Sequence, residues 1–119
     1  MQKQELVKYW TQNKIITDNS TIEAFLRVPR EKFILKEYKD QAYQDTPLQT
    51  KKGQTISQPT TVMIMTQALK VKKGQRILEV GTGSGYQAAI LSVLVGEKGK
   101  VYTVEYIKEL YDFAKANLK

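Results

Sequence analysis

The order of patterns from Gln75 to the last residue limits the possible folds most. QRILEV is a short apolar run typical of a buried strand, GTGSG is a turn, and YQAAILSVLVG is a helical pattern that Gly96 should end. KVYTVE predicts a second strand, and a final amphipathic helix is marked by Ile107, Leu110, Tyr111, Ala114 and Leu118. Such alternation predicts parallel strands joined by a right-handed crossover, the beginning of a doubly wound α/β sheet.

The preceding residues are predicted to form three helices. The first, in residues 3 to 13, has Leu6, Val7 and Trp10 at helical spacing. The second has candidate N-caps from Asp18 to Thr21, with Glu23 following Ser20 as in a capping box, and should end near Pro29. The third should begin at or beside Pro59. The apolar residues expected on the last two helices are Ile22, Phe25 and Leu26, then Val62, Met65 and Leu69.

Between the second and third of these helices, residues 41 to 58 lack periodicity and contain turn formers such as Asp45, Pro47, Gly53 and Ser57. A long loop without secondary structure is uncommon in a compact domain and is usually functional or disordered. The stretch KKGQTISQPTTV, residues 51 to 62, is therefore a candidate for more than a connection.

Composition narrows the chemistry that is open to this chain. Its 119 residues, 41% apolar and 26% charged, suit one small folded domain. Neither cysteine nor histidine occurs, which excludes disulfides, thiolate nucleophiles and the commonest general base and metal ligand. No metal site is expected, and any catalysis should depend on a reactive cofactor or on carboxylates and hydroxyls.

Charge and hydropathy bear on partners and location. The net charge of +7 could attract nucleic acid, but the lysines are spread along the chain, which favours a solvated surface over a nucleic-acid footprint. No apolar run reaches the length that spans a bilayer, and MQKQELVKYW lacks the apolar core of a signal peptide. We therefore expect a cytoplasmic protein with neither a membrane nor a nucleic acid as partner.

The turn from Gly81 to Gly85 lies where the first strand should pass into its helix. Glycines there permit positive φ and let a ligand approach the backbone beside the unpaired N–H groups of the helix. The spacing is G-x-G-x-G, and Tyr86 stands where a dinucleotide fingerprint needs its last glycine. Taken alone, such a turn is as consistent with a tight structural turn as with a ligand site.

Glu105 strengthens the interpretation as a ligand site. It ends the second strand, about 20 residues beyond the glycines, where an acidic residue commonly accepts hydrogen bonds from ribose hydroxyls. A solvated strand end or a helix-capping carboxylate is the alternative. Together, the turn and the acid favour a nucleoside ligand.

LEVGTGSG followed by VYTVE resembles motif I and the adjoining acidic strand end of class I S-adenosylmethionine-dependent methyltransferases. The resemblance implies an α/β, Rossmann-like doubly wound methyltransferase fold, incomplete in this chain, with an N-terminal helical extension. Residues 1–58 would form that extension and a substrate and cofactor loop, and residues 59–119 the first β-α-β-α part of the domain that binds S-adenosylmethionine. It also implies that Glu105 holds the ribose and that the turn residues bind the cofactor: Glu79, Gly81, Thr82, Gly83 and Gly85.

GQTISQP, residues 53 to 59, resembles more specifically the protein-L-isoaspartate O-methyltransferases, and the likeness runs over roughly residues 15 to 119. It implies methyl transfer to the free carboxylate of L-isoaspartyl residues in damaged proteins and peptides, as a step of repair. Ser57 would be catalytic, donating a hydrogen bond that orients the carboxylate, and the residues Thr55, Ile56 and Ser57 would line the cofactor. Alternatively, Ser57 only caps the helix after Pro59. Thr60 and Thr61 are smaller than the Tyr or His that this family often has nearby.

Two further function classes stay open. The net charge and the GTGSG turn would also suit an RNA methyltransferase, although GQTISQP is then unexplained. The other class is a non-catalytic half of an enzyme, which binds S-adenosylmethionine and needs a partner chain. Since two strands would leave open edges and uncovered faces, we expect a truncated chain, half of a split enzyme, or a sheet completed by a second chain or by self-association.

Overall fold

The computed structural model describes residues 2–119. Its five helices are α1 (Lys3–Gln12), α2 (Asn19–Arg27), α3 (Pro59–Leu69), α4 (Tyr86–Val95) and α5 (Lys108–Asn117). Its four strands are β1 (Leu48–Gln49), β2 (Thr55–Ile56), β3 (Arg76–Val80) and β4 (Lys100–Val104). Three short 3₁₀ helices span Arg30–Phe33, Lys36–Gln41 and Lys51–Gly53.

The predicted strand and helix alternation from Gln75 onward is confirmed. Strands β3 and β4 are parallel, with Arg76 opposite Lys100 and Val80 opposite Val104. Helix α4 connects them and packs on the sheet. Its C-cap residue is Gly96, whose positive φ of 71° is a conformation that glycine adopts readily. The carboxyl ends of both strands therefore lie together at one edge, beside the glycine turn.

The expectation that QRILEV is a buried strand is wrong for one face. Leu78 and Val80 are 65% and 81% exposed, and their register partners Tyr102 and Val104 are also exposed. Alternate side chains of a strand point to opposite faces, and α4 packs on only one of them. The half-buried face carries Ile77, Glu79, Val101 and Thr103.

The first two predicted helices are confirmed, with two corrections in the second. Its N-cap is Asp18, the first of the predicted candidates, so the capping box expected from Ser20 and Glu23 does not form, and the Asp18 carboxylate accepts a 2.6 Å hydrogen bond from the Thr21 hydroxyl. Leu26 is 41% exposed, because the buried stripe of this short helix is narrow: Thr21, Ala24 and Phe25. The capping box occurs instead at the start of α1, between Gln2 and Glu5.

One hydrophobic core joins the N-terminal helices to the rest of the fold. Trp10 of α1 is fully buried, with its ring centroid 4.7 Å from that of Phe25 in a T-shaped contact. The same cluster includes Met63 of α3 and Ile90 of α4. The helical extension is therefore packed directly against the elements that carry the glycine turn.

Helix α3 begins at Pro59, as predicted, but its buried face differs from the expected one. Met65 and Leu69 are 64% and 58% exposed. Val62 is buried as expected, and the other buried residues of the helix are Pro59, Met63 and Thr66. The core lies on the side of α3 that meets α2, so the opposite apolar side remains open.

The segment 41 to 58 is more ordered than its sequence predicts. Strands β1 and β2 form a small antiparallel pair with Leu48 opposite Ile56, and the connecting turn contains Lys52 and Gly53 at φ of 58° and 69°. The Lys52 ammonium lies 3.3 Å from the Glu109 carboxylate of α5. The residues TIS thus begin on a strand rather than in an unstructured loop.

Within residues 2–119, no helix is long enough and apolar enough to span a bilayer.

Candidate active site

A cavity of about 420 Å³ opens between the TIS segment, α3, the end of β3 and the first turns of α4. It is mainly apolar, with polar groups from the glycine turn and from the TIS segment. Its lining consists of Thr55, Ile56, Ser57, Val62, Met65, Leu69, Ile77, Leu78, Glu79, Gly81, Thr82, Gly83, Ser84, Tyr86, Gln87 and Leu91. An apolar cleft with a few convergent polar groups is the usual form of a small-molecule site.

The glycine turn exposes its backbone to this cavity. Gly81 and Gly83 have φ of 95° and 58°, and a Cβ atom at either position would meet no atom within 4 Å. Both conformations favour glycine, most strongly at Gly81, and the space beside the two residues is open to a ligand. The N–H groups of Gly81 and Thr82 donate to the Val104 carbonyl at 2.8 and 3.1 Å, which joins the turn to the end of β4.

Two residues predicted to bind the cofactor do not line the cavity. At Gly85, where φ is 93°, a Cβ atom would lie 3.1 Å from Leu118 Cγ, so this glycine allows the turn to pack against the C-terminal end of α5. Glu105 accepts hydrogen bonds from the Gly83 N–H at 2.9 Å and the Ile107 N–H at 3.2 Å. Its carboxylate therefore joins the glycine turn to Ile107, the residue just before α5, and a role with ribose remains a prediction.

Glu79 is the carboxylate of the cavity lining. Its Oε1 accepts a 2.6 Å hydrogen bond from the Thr103 hydroxyl, which is itself bonded to the Thr82 hydroxyl. Because the Thr103 proton points to Glu79, Thr82 is the donor in the second bond. Burial raises the pKa of Glu79, the nearby Glu105 charge adds to the rise, and the Thr103 hydrogen bond opposes it.

The raised pKa of Glu79 predicts a pH-dependent effect of Glu79→Gln. A raised pKa means that the folded state binds the proton more tightly, so the contribution of Glu79 to stability is present below about pH 4.5 and lost as pH rises through its folded pKa. The glutamine side chain of the variant does not titrate, so the stability of the variant does not fall with pH through this position. We expect its midpoint of thermal unfolding to rise relative to the parent protein between pH 4 and pH 8, which calorimetry at several pH values would measure. A constant difference across that range would contradict the burial of a charged Glu79.

The TIS segment contributes two exposed hydroxyl side chains, Thr55 and Ser57, on either side of the buried Ile56. Within residues 2–119 the Ser57 hydroxyl makes no hydrogen bond, whereas the Ser57 carbonyl accepts one of 3.0 Å from Arg30 Nη2. The N-cap of α3 is Gln58, so the alternative that Ser57 caps this helix is wrong. The free hydroxyl remains available to a ligand.

A partly buried network of hydrogen bonds holds the start of α3 beside Ser57. The Asp45 carboxylate accepts from the Thr60 N–H at 2.9 Å and from the Thr60 hydroxyl at 2.6 Å, and Trp10 Nε1 donates to the same hydroxyl at 2.8 Å. Asp45 thus satisfies an N–H of the first turn of α3, a role that an N-cap side chain would usually fill. A threonine at position 60 suits this network, because it both donates and accepts.

Sequence reasoning missed most of the apolar lining and all of the supporting network. Met65, Leu69 and Leu91 have the same pattern as core residues, so nothing local distinguishes a cavity wall from a core. Arg30 and Asp45 are distant in sequence from Ser57 and carried no motif. Within residues 2–119 no group of three or more acidic side chains could hold a metal ion.

The family model for protein-L-isoaspartate (D-aspartate) O-methyltransferases matches residues 1–119, which is the whole chain. The chain belongs to this family. The resemblance that the motifs indicated from residue 15 onward is therefore confirmed and extends to the first residue.

Relatives within the protein-L-isoaspartate O-methyltransferase family support this membership. The chain is 45% identical over 117 residues to the protein-L-isoaspartate O-methyltransferase of Ignicoccus hospitalis, which covers 98% of this chain and 56% of the relative. It is 51% identical over 104 residues to the enzyme of Methanopyrus kandleri, and the match covers 87% of this chain and 46% of the relative. The chain thus spans about half the length of the curated relatives it matches.

Solved structures of the same family confirm the fold. A protein-L-isoaspartate O-methyltransferase structure matches with a TM-score of 0.85 and 34% identity, over 98% of this chain and 38% of the other. A second structure, assigned to the same activity in Plasmodium falciparum and in complex with S-adenosyl-L-homocysteine, matches with a TM-score of 0.86 and 28% identity, over 100% and 56%. The α/β, Rossmann-like interpretation is therefore correct, with the sheet represented here by β3 and β4.

Proposed function

We propose that this chain provides the S-adenosylmethionine site and the substrate-orienting hydroxyl of a protein-L-isoaspartate O-methyltransferase. The enzyme would methylate the free carboxylate of L-isoaspartyl residues in damaged proteins. The observation that carries the proposal is that TIS and the glycine turn, which are remote in sequence, line one cavity. Family membership and the S-adenosyl-L-homocysteine complex of the Plasmodium falciparum protein support it.

The cavity has the features that the cofactor would need. Apolar side chains such as Met65, Leu69 and Leu91 suit the apolar parts of S-adenosylmethionine, and the open backbone at Gly81 and Gly83 allows close approach. The Glu79 carboxylate offers a negative charge to a cationic ligand. Glu105, at the end of β4, keeps unused lone pairs on both oxygens, which would be available to ribose hydroxyls.

S-adenosylmethionine, when bound, supplies an electrophilic methyl group on a sulfonium and leaves as S-adenosylhomocysteine after the methyl group has passed to a carboxylate oxygen. The residues of this chain would bind and orient. A carboxylate is already ionised at neutral pH, so no general base is required, in agreement with the absence of histidine and cysteine. Ser57 would donate its free hydroxyl to the substrate carboxylate, and Thr55 and Ile56 would form the adjacent wall.

We further propose a division of roles along the chain. Residues 59–119 would form the cofactor-binding part, and residues 1–58 would provide the helical extension and the segment that contacts substrate and cofactor. Because one core joins both parts, this is a division of function rather than of folding. Completion of the sheet by a second chain or by self-association is a separate hypothesis, supported only by the exposed face of β3 and β4.

The experiment that tests the function is a methyl transfer assay on a peptide with one L-isoaspartyl residue, with the aspartyl peptide of the same sequence as control. We expect ester formation on the isoaspartyl peptide and at least about tenfold less on the control, since binding geometry must distinguish the two carboxylates. Equal labelling of both peptides would contradict the proposed specificity. Transfer to RNA but not to either peptide would favour the alternative of an RNA methyltransferase.

A further inference from the structure

Arg30 is the charged side chain that lies deepest in this protein. Its relative exposure is 0%, and it forms no ion pair with a carboxylate of residues 2–119. Its Nε donates to the Ala42 carbonyl at 2.7 Å and its Nη2 to the Ser57 carbonyl at 3.0 Å. The guanidinium therefore links the beginning of the loop to the TIS segment, 27 residues away from Arg30.

The surroundings of Arg30 make this link costly to maintain. The guanidinium carbon lies 5.3 Å from the ring centroid of Tyr86, a residue of the cavity lining. The Arg30 Nη1 and the Tyr86 hydroxyl are both buried without a hydrogen-bond partner in the described part of the chain. A buried charge that is only partly satisfied usually lowers stability relative to a well-packed apolar residue. Stability therefore does not explain why a charged side chain is buried at position 30.

The geometry of the TIS segment supplies such a reason. Arg30 holds the peptide group that follows Ser57, and Asp45 holds the Thr60 N–H two residues beyond Gln58. The backbone of this short stretch is thereby held at both ends, while the Ser57 hydroxyl is left free. A side chain can orient a ligand only when its own backbone is held, and planar guanidinium donors aimed at two carbonyls hold it well.

We propose that Arg30 is a positioning residue, whose buried guanidinium holds the Ser57 carbonyl and so sets the direction in which the Ser57 hydroxyl enters the cavity. The consequence for methyl transfer rests on the proposed function, whereas the consequence for backbone geometry does not. Arg30 acts through Ser57 and would not itself contact the reacting atoms.

The test compares Arg30→Met with Arg27→Met, which removes the same charge from an exposed side chain of α2. Two signals are measured: the ¹³C chemical shift of the Ser57 carbonyl, and the affinity for S-adenosylhomocysteine by calorimetry. We expect Arg30→Met to shift the carbonyl signal and to weaken binding about tenfold, because the TIS segment, which lines the cavity, loses the side chain that holds its backbone. Arg27→Met should change neither signal.

A rescue experiment separates positioning from general packing. Adding guanidinium ion to Arg30→Ala should restore the Ser57 carbonyl signal, whereas the same concentration of sodium ion should not. Arg30→Lys keeps the charge but replaces the planar guanidinium by a compact ammonium, so it should give an intermediate carbonyl shift. If the other variants do not fold, the carbonyl shift of Arg30→Lys tests the proposal. An unchanged Ser57 carbonyl in every folded Arg30 variant would overturn the proposal.

The outcomes distinguish this inference from the proposed function. If the unsubstituted chain does not bind S-adenosylhomocysteine, the proposed function loses its support, and the carbonyl signal alone decides the role of Arg30. If the chain binds it and Arg30→Met binds it equally well, the positioning role is overturned while the function stands.

Discussion

Replacement of Ser57 by alanine is expected to lower the rate of methyl ester formation on an isoaspartyl peptide about a hundredfold, equivalent to about 2.7 kcal/mol. The hydroxyl is exposed and makes no hydrogen bond within residues 2–119, so the folded protein loses no interaction with it. The midpoint of thermal unfolding should therefore change little. Single-turnover kinetics, followed with labelled S-adenosylmethionine, would measure the rate.

Two companion variants make this result specific to Ser57. Ser92→Ala removes an exposed hydroxyl of α4 that donates to the Ala89 carbonyl and does not line the cavity, so it should leave the rate unchanged. Ser57→Thr keeps a donor and should recover part of the lost rate. An unchanged rate in Ser57→Ala would remove the catalytic role, and equal losses of rate and stability would assign Ser57 to the fold instead.

Replacement of Trp10 by alanine is expected to lower the free energy of unfolding by about 3 to 5 kcal/mol. The ring is fully buried against Phe25, and its Nε1 donates to Thr60 at the start of α3. Since a domain of this size is usually stable by only about 5 to 15 kcal/mol, the variant should be close to unfolding. Denaturant titration followed by circular dichroism would measure the loss.

The neighbouring residue provides the control for Trp10. Tyr9 is 48% exposed, so Tyr9→Ala should change the free energy of unfolding by less than about 0.5 kcal/mol. Trp10→Phe keeps most of the apolar contact and removes the donor to Thr60, and should cost about 1 kcal/mol through that hydrogen bond in addition to the smaller ring. A loss in Trp10→Ala no greater than that in Tyr9→Ala would contradict the role of this helix in holding α3.

The elements that local patterns predicted are those whose signals are local. Strand β3, the glycine turn, helix α4 and strand β4 follow one another within 30 residues, and each has its own period or turn former. Pro59 fixes the first turn of α3 by its own φ. The same patterns failed at Leu26, Leu78 and Met65, because exposure of an apolar residue depends on which neighbour covers it.

The candidate site residues also differ in whether their contacts depend on local sequence or on distant residues. Gly81, Gly83 and Glu79 were assigned to the cofactor from the resemblance of LEVGTGSG to a methyltransferase motif, and all three lie in the lining of the cavity. Gly85 was assigned to the cofactor by the same resemblance, yet it lies against Leu118, which directly follows α5, and this contact joins residues 33 positions apart in the sequence. Glu105 was placed at the correct strand end, but its bonds to Gly83 and Ile107 depend on how the turn closes over β4.

The amino-acid sequence was sufficient for the family, the parallel βαβ unit and the segments that contain reactive groups. Those features depend on short-range periodicity and on residue types, such as glycine and proline, that are tied to particular backbone conformations. Packing alone brought Ser57 and the glycine turn to one cavity along α3 and buried Arg30 against the Ser57 carbonyl. Each of these depends on contacts between distant residues, whose partners are chosen by which faces can be buried together.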